Sequence, residues 1–521
     1  MRPIATDTAD FPFLRREGKI YVDKTAYIHH MAANPDARLF FMSRPRRFGK
    51  SLTVSAFKAL FQARRDLFER LAIDKLPWTW RKYPIIHFEF NDLTTESLEA
   101  FETDLAKHVE MRLEAAGFEY DRTESPHLNF AKAIEALSAA NGGDGVVILI
   151  DEYDAPVGHC LDNPDLADKI RSRLSTLYSQ MKNRTGDIRF MFMTGVSKFT
   201  RLSVFSALNN LLDVSQHEEY ATMFGYTEEE LDANFEEHLR AHAAKMGMEY
   251  SAYRAEMKRW YNGFRFSPEV ETTVYNPISV AYTLYSKERT FKATWATTAR
   301  PSMLMNYLKR DDVLKINPDA TQRVRSAALD VAELHDLQPI ALLYQTGYLT
   351  IRDYKDGLYT LGVPDEEVRQ DFCTLMTGVA ADRSVQWASR LGDHLLCAEW
   401  DDFFEGLQAL YAGMAYGSTE RRVHENSFAR CLAFLLASCG FRFTMEAVQS
   451  NGRADIVAEH PAMVCIFELK VDEGVDKAFA QIREKGYAAP FAASGRDVWL
   501  VALSFDSATR RLVDFAAEKE M

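Results

Sequence analysis

The stretch Phe40–Val54, "FFMSRPRRFGKSLTV", ends as a phosphate-binding loop and begins as something else. A P-loop reads G-x-x-x-x-G-K-[ST] behind a strand, and Gly49, Lys50 and Ser51 supply its second half after an apolar run. Arg44 stands where the first glycine belongs, followed by Pro45, Arg46 and Arg47. The working parts of such a loop are backbone N–H groups converging at a helix N-terminus, one lysine charge and one hydroxyl on a metal ion. Those parts are present, and Leu52, Ala56, Phe57, Leu60 and Phe61 form the apolar stripe of a following helix. Taken alone, the stretch also reads as a solvated basic turn before an ordinary helix.

A second motif weighs against the basic turn. In "GVVILIDEYD", Asp151 follows a run of apolar residues and Glu152 is next to it. A nucleotide-hydrolysing P-loop domain needs such a carboxylate at the end of a neighbouring strand to hold Mg²⁺. Glu152 would polarise the attacking water. The run "RFMFMTGVS" reads as the next strand and ends in Thr194 and Ser197, polar groups able to sense a γ-phosphate. The expected ATP contacts are Arg46, Arg47, Phe48, Gly49, Lys50, Ser51, Leu52, Asp151 and Thr194, with Ser51 and Asp151 on the Mg²⁺ ion.

Outward from these motifs, apolar runs alternate with helical stretches from about Tyr21 to Asp213, which predicts an α/β fold with a parallel sheet covered on both faces. From Glu218 to about Asp382 the pattern is mostly helical. There "LLYQTGYLTIRDYKDGLYTLGVP" reads as a helix end at Gly347 followed by two short strands, in the manner of a winged helix. Helices then lead into strand-like runs near the C-terminus. The expected division is residues 1–215, 216–385 and 386–521. No apolar run is long enough to span a bilayer and the first residues lack the apolar core of a signal peptide, so the expected location is cytoplasmic. The six cysteines are scattered without a C-x-x-C pair and read as reduced core residues, and a net charge of −13 excludes a chain that is basic throughout.

The segments "YVDKT", "SRPRRFGKS", "LIDEYDAPV", "TGVSKFTRLSVFSALNNL", "YNGFRFS", "YNP" and "LLYQTGYL" resemble the AAA-ATPase-like family of bacterial proteins. In that family the arginine-rich, glycine-poor start of the loop is the usual form, so Arg44 departs from the general P-loop and not from this family. The resemblance runs over nearly the whole chain and implies a C-terminal domain of the PD-(D/E)XK nuclease superfamily.

The C-terminal residues are consistent with that implication on their own chemistry. Metal-dependent phosphodiester cleavage needs converging carboxylates and a cation beside the attacked phosphate. "GRADIVAEHPAMVCIFELK" carries Asp455 on one apolar run, and Glu468 and Lys470 on the next, two apart and therefore on one face of a strand. A hairpin that sets Asp455 opposite Ile466 makes Glu468 its diagonal neighbour, ~7 to 8 Å away. Asp455 and Glu468 would hold Mg²⁺ or Mn²⁺, with Lys470 at the phosphate. By resemblance, Glu425 matches a helix-borne catalytic carboxylate, and Gln481 and Tyr487 match a glutamine–aromatic element. Phe428 and Ala429 stand where the family shows a Tyr-His pair. Arg201 and Arg265 are candidates to reach a phosphate or a neighbouring subunit.

The sequence therefore predicts a P-loop NTPase domain with a parallel sheet, a helical and winged-helix middle region, and a small α/β nuclease-like domain. The expected activity is ATP hydrolysis coupled to metal-dependent cleavage of nucleic acid, with DNA as the substrate, no membrane partner and a homo-oligomer as one option. The alternative is a nucleotide-sensing regulatory NTPase whose C-terminal domain binds nucleic acid without cutting it.

Overall fold

The structure is a computed structural model that describes residues 1–6, 8–198, 210–286, 288–295, 321–329, 338–381, 383–413, 424–449, 452–509 and 511–520. The chain forms two compact units, one of Met1–Ala299 with Asp319–Glu366, the other essentially Glu367–Met521. Residues 214–299 and 319–366 belong to the same compact unit as the P-loop sheet.

Five strands make the sheet of the first unit: β1 (Leu39–Ser43), β2 (Ile85–Glu89), β3 (Val146–Asp151), β4 (Ile188–Gly195) and β5 (Leu212–Asp213). Their order is β2-β3-β4-β1-β5 and every pairing is parallel. All six residues of β3 are buried, as a parallel strand covered on both faces requires. Alternation along the strands sorts the side chains. Phe190 and Phe192 pack tilted against Phe57 of the helix Lys50–Phe61, with ring centroids 4.9 and 5.0 Å from its own. On the other face Phe88 meets Phe130 of the helix Pro126–Ala140 edge-to-face at 5.2 Å. One expectation needs correction: β3 does not neighbour the loop strand β1, because β4 lies between them.

The helix Glu228–Met246 follows a capping box of Thr227 and Glu230 and stops at Gly247, in the left-handed region at φ 68°. Lys24 of "YVDKT" is buried and donates to Glu230 at 2.6 Å and to the Thr222 carbonyl at 2.7 Å, tying the N-terminal segment to this helix. A short pair, β6 (Asn262–Phe264) and β7 (Val274–Tyr275), precedes a three-stranded antiparallel sheet in the order β8-β10-β9, with β8 at Gln322–Arg325, β9 at Thr350–Lys355 and β10 at Leu358–Gly362. The helix Pro339–Thr346 ends at Gly347 with φ 94°, so the helix end and hairpin read from the sequence are both present, joined by a third strand.

The second unit is built on β11 (Arg442–Gln449), β12 (Gly452–Glu459), β13 (Met463–Val471), β14 (Asp497–Asp506) and β15 (Arg511–Lys519), in sequential order. Only β13 and β14 pair in parallel; the other neighbours are antiparallel. One face buries Ile456, Cys465, Phe467 and Val501 with Phe403, Leu407 and Leu432 from preceding helices, and the other buries Val464, Ile466 and Leu500 under Phe479 and Ile482 of the helix Val475–Lys485. Cys160, Cys373, Cys431 and Cys465 are core residues, while Cys397 is exposed. Among the described residues no helix is long and apolar enough to cross a membrane.

His87 of β2 and His108 of the helix Leu98–Ala115 are both pushed down to about 4, chiefly by burial. The unfolded chain therefore takes up protons before the folded one as pH falls from 6.5 toward 4, and stability is lost across that window. Chemical denaturation at pH 7 and pH 5 is expected to show a smaller loss in a His87→Gln, His108→Gln double variant than in the parent chain.

Candidate active sites

The first site lies at the carboxyl ends of β1, β3 and β4, where an open parallel sheet offers its crevice. Gly49 caps the helix Lys50–Phe61 at φ 91°, and a Cβ there would meet nothing within 4 Å, so the loop leaves open space at the helix N-terminus. Lys50 is buried, and its Nζ donates to the carbonyls of Arg44 and Pro45 at 3.0 Å each. Burial lowers the affinity of this ammonium for its proton, while Glu152, Asp151 and Asp154 raise it. The Ser51 side chain lies near enough to Asp151 to favour its charged form, across the gap that the intervening β4 leaves. Burial holds the carboxyls of Asp151 and Glu152 above their ordinary range. Glu152 has φ 49°, a left-handed conformation unusual for a residue other than glycine, and its N–H donates to Asp151 Oδ1 at 3.0 Å.

The loop residues do different work from what the sequence suggested. Arg44 is 2% exposed and points away from the loop. Its guanidinium donates to the carbonyls of Ser43 at 2.9 Å, Ser215 at 2.5 Å and Tyr220 at 3.2 Å, and lies 4.3 Å from the Phe266 ring centroid. The Phe48 side chain is buried against Phe264 and Phe266, which leaves only its backbone for a nucleotide. Arg46 is half-buried, Arg47 is exposed at φ 71°, and Leu52 is the third residue of the helix Lys50–Phe61. Thr194 is corrected as a phosphate sensor: it is fully buried and its hydroxyl donates to the Met42 carbonyl of β1 at 2.7 Å. Ser197 is corrected likewise, because its hydroxyl and its N–H, at 2.7 Å, both go to Asp154. Asp154, whose role the sequence reading missed, thus clamps the chain leaving β4; its signal was the second aspartate of "DEYD". Arg265 spends its guanidinium on the carbonyls of Ser267, Pro268, Val270 and Arg352 and is no finger. Arg201 lies outside the described residues.

The second site is at the open end of the β12–β13 ladder. The register sets Ile456 opposite Phe467 and Val457 opposite Ile466. Asp455 is therefore in line with Glu468 and not with Ile466, a two-residue correction that leaves both side chains on the expected face. Asp455 Oδ2 accepts the Leu469 N–H at 2.7 Å, doing the work of a ladder carbonyl. Glu468 is 1% exposed; its Oε1 takes a bond from Lys470 Nζ at 2.8 Å, and its Oε2 is buried without a hydrogen-bond partner. Burial, and next to it Asp455, raises the Glu468 carboxyl, with Lys470 acting against them. Lys470 Nζ also donates to Gln481 Oε1 at 2.8 Å, so Gln481 belongs to the site. Tyr487 is a fully buried core residue under that same helix. Glu425 lies on the helix His424–Ser438, and its side chain is outside the description.

A buried carboxylate oxygen with no donor is costly unless a cation meets it. Asp455 and Glu468 thus fit a divalent ion bound by oxygens, and the Ser51–Asp151 pair beside Lys50 fits a nucleotide with its cation.

These two sites belong to recognisable classes. A family model described as "Predicted AAA-ATPase" matches residues 3–205, and one described as "PD-(D/E)XK nuclease superfamily" matches residues 423–515. The chain belongs to the family of proteins that carry an AAA-ATPase-like domain followed by a PD-(D/E)XK nuclease superfamily domain. Along nearly its whole length it is similar to an "Uncharacterized protein in vnfD 5′region" of Azotobacter chroococcum mcd 1, at 31% identity over 523 residues that cover 96% of each chain.

Removing Arg44 takes a charged donor from the carbonyls of Ser43, Ser215 and Tyr220, of which Tyr220 keeps the Met223 N–H at 3.3 Å. Arg44→Ala is expected to cost about 3 kcal/mol or more in chemical denaturation. Arg44→Lys should recover little, because an ammonium cannot fork across the carbonyls of Ser43, Ser215 and Tyr220.

Proposed function

We propose that this protein binds and hydrolyses ATP through the P-loop sheet of its first unit and cleaves DNA in a metal-dependent reaction through the five-stranded sheet of its second unit. The observation that carries the reading is the buried, partnerless Oε2 of Glu468, flanked by Asp455 and Lys470. An ordinary hairpin has no reason to bury that oxygen.

At the nucleotide site, Lys50 exchanges its two loop carbonyls for the oxygens of the β- and γ-phosphates. Backbone N–H groups from Arg46 to Leu52 cradle the same oxygens, with Arg46 and Arg47 adding positive charge. Ser51 and Asp151 hold Mg²⁺. Glu152, whose proton affinity is raised by burial, takes the proton of the attacking water. At the nuclease site Asp455 and Glu468 hold Mg²⁺ or Mn²⁺, with Glu425 as an auxiliary carboxylate. When bound, the divalent ion supplies positive charge to the phosphate oxygens and makes a hydroxide available near neutral pH. Lys470, steered by Gln481, places its ammonium beside the scissile phosphate.

The decisive experiment incubates the chain with single- and double-stranded DNA and RNA, with and without ATP and Mg²⁺. Cleavage of DNA that requires the divalent ion is the expected result; binding without cutting would favour a nucleic-acid-binding regulatory NTPase. Lys50→Ala should lower ATPase kcat/KM by about 100-fold or more, and Glu152→Gln should retain ATP binding while losing turnover. Unchanged turnover in Lys50→Ala removes the P-loop assignment.

Asp455→Ala, Glu468→Ala and Lys470→Ala should each abolish cleavage while ATP hydrolysis persists. DNA affinity measured in EDTA should hold or rise in the two carboxylate variants, because each removes repulsion against phosphates. Cutting that survives all three substitutions refutes the nuclease assignment.

A further inference from the structure

We infer that the C-terminal end of the helix Pro339–Thr346 completes the nucleotide site from outside the matched ATPase segment, with Gln345 and Gly347 as positioning residues. The inference rests on the ATPase reading above.

Two chain segments must stand at a fixed separation for that chemistry: the start of the P-loop, which holds Lys50, and the chain leaving β4, which is clamped to the Glu152 turn. The helix end touches both. Gly347, at φ 94°, lies so close to the loop that a Cβ there would be 2.7 Å from Cβ and 2.9 Å from Cγ of Pro45. Pro45 is one of the two residues whose carbonyls bind Lys50 Nζ. Only glycine allows both the backbone turn and this approach.

Two residues earlier in the chain, Gln345 is buried and uses both ends of its amide. Its Oε1 accepts the Lys198 N–H at 2.8 Å, and its Nε2 donates to the Leu329 carbonyl at 2.9 Å. Lys198 follows Ser197, which is bound to Asp154, two residues beyond Glu152. One helix end is therefore a single contact removed from the residue that grips Lys50, and two from the turn that aims the base. Gln216 extends the connection: it donates to the Tyr344 hydroxyl at 2.9 Å and accepts from the Tyr359 hydroxyl of β10 at 3.1 Å. The helix end is thereby hydrogen-bonded, through Gln216, to β10 of the three-stranded sheet.

Displacing a reacting group by about 1 Å can cost on the order of 100-fold in rate, so loosening this brace is expected to act on turnover. Full-length variants are compared for ATPase kcat and for affinity toward a fluorescent ATP analogue. Gln345→Leu should lower kcat by about tenfold or more with affinity within about threefold, while Gly347→Ala should weaken the analogue by about tenfold through Pro45 and Lys50. Gln345→Glu discriminates positioning from fold damage. A protonated glutamic acid accepts from Lys198 and donates to Leu329 as glutamine does, so its kcat relative to the parent chain should rise as pH is lowered. Parent-level kcat in Gln345→Leu, or a Gln345→Glu variant no better than Gln345→Leu at every pH, overturns the proposal. A parent chain that hydrolyses no ATP fails at the earlier step and refutes the ATPase reading itself.

Discussion

The first unit depends on one buried guanidinium. Arg44 gathers carbonyls from the end of β1 and from the segment after β5, and its guanidinium sits over the Phe266 ring. A general P-loop begins with a glycine because the chain must turn sharply there. Here the turn is held from behind by a cation fixed to the rest of the domain, and the loop carbonyls are left to hold Lys50. This also explains why the region after Asp213 belongs to the same compact unit: Phe264 and Phe266 cover Phe48 and Arg44, so the loop has no finished underside without them.

The parts of the fold legible in the sequence were those with strong local patterns. Fully apolar runs announced β1, β3 and β4, and the spacing of Gly49, Lys50 and Ser51 announced the helix start. Strand order was not legible, because parallel strands are ordered by crossovers far apart in sequence; hence β4 between β1 and β3 came only from the structure. Hydroxyl roles were also hidden. Thr194 and Ser197 sit where a sensor would sit, but at the closely packed C-terminal end of the central strand β4 both are consumed by protein acceptors. The period-two pattern gave Asp455, Glu468 and Lys470 their common face, yet turn length alone could not choose between registers two apart, since both keep that face.

The two sites share a physical device: a carboxylate at the place where a buried strand emerges, its proton affinity raised by burial and opposed by a lysine. Asp151 and Glu468 are both of this kind, with Lys50 and Lys470 as the opposing charges. In each case the lysine is also tied to oxygens that a phosphate can replace or extend, the loop carbonyls in one and Gln481 in the other.

The left-handed backbone at Glu152 has an evolutionary consequence. A non-glycine residue at φ 49° carries local strain of about 1 kcal/mol or more that glycine would not. Drift toward stability alone therefore runs downhill to a protein with glycine at this position, better folded and without its acid. Selection that keeps a glutamate there has to act against the folding free energy in every generation, so lineages released from the need for turnover are the ones in which this position should decay first.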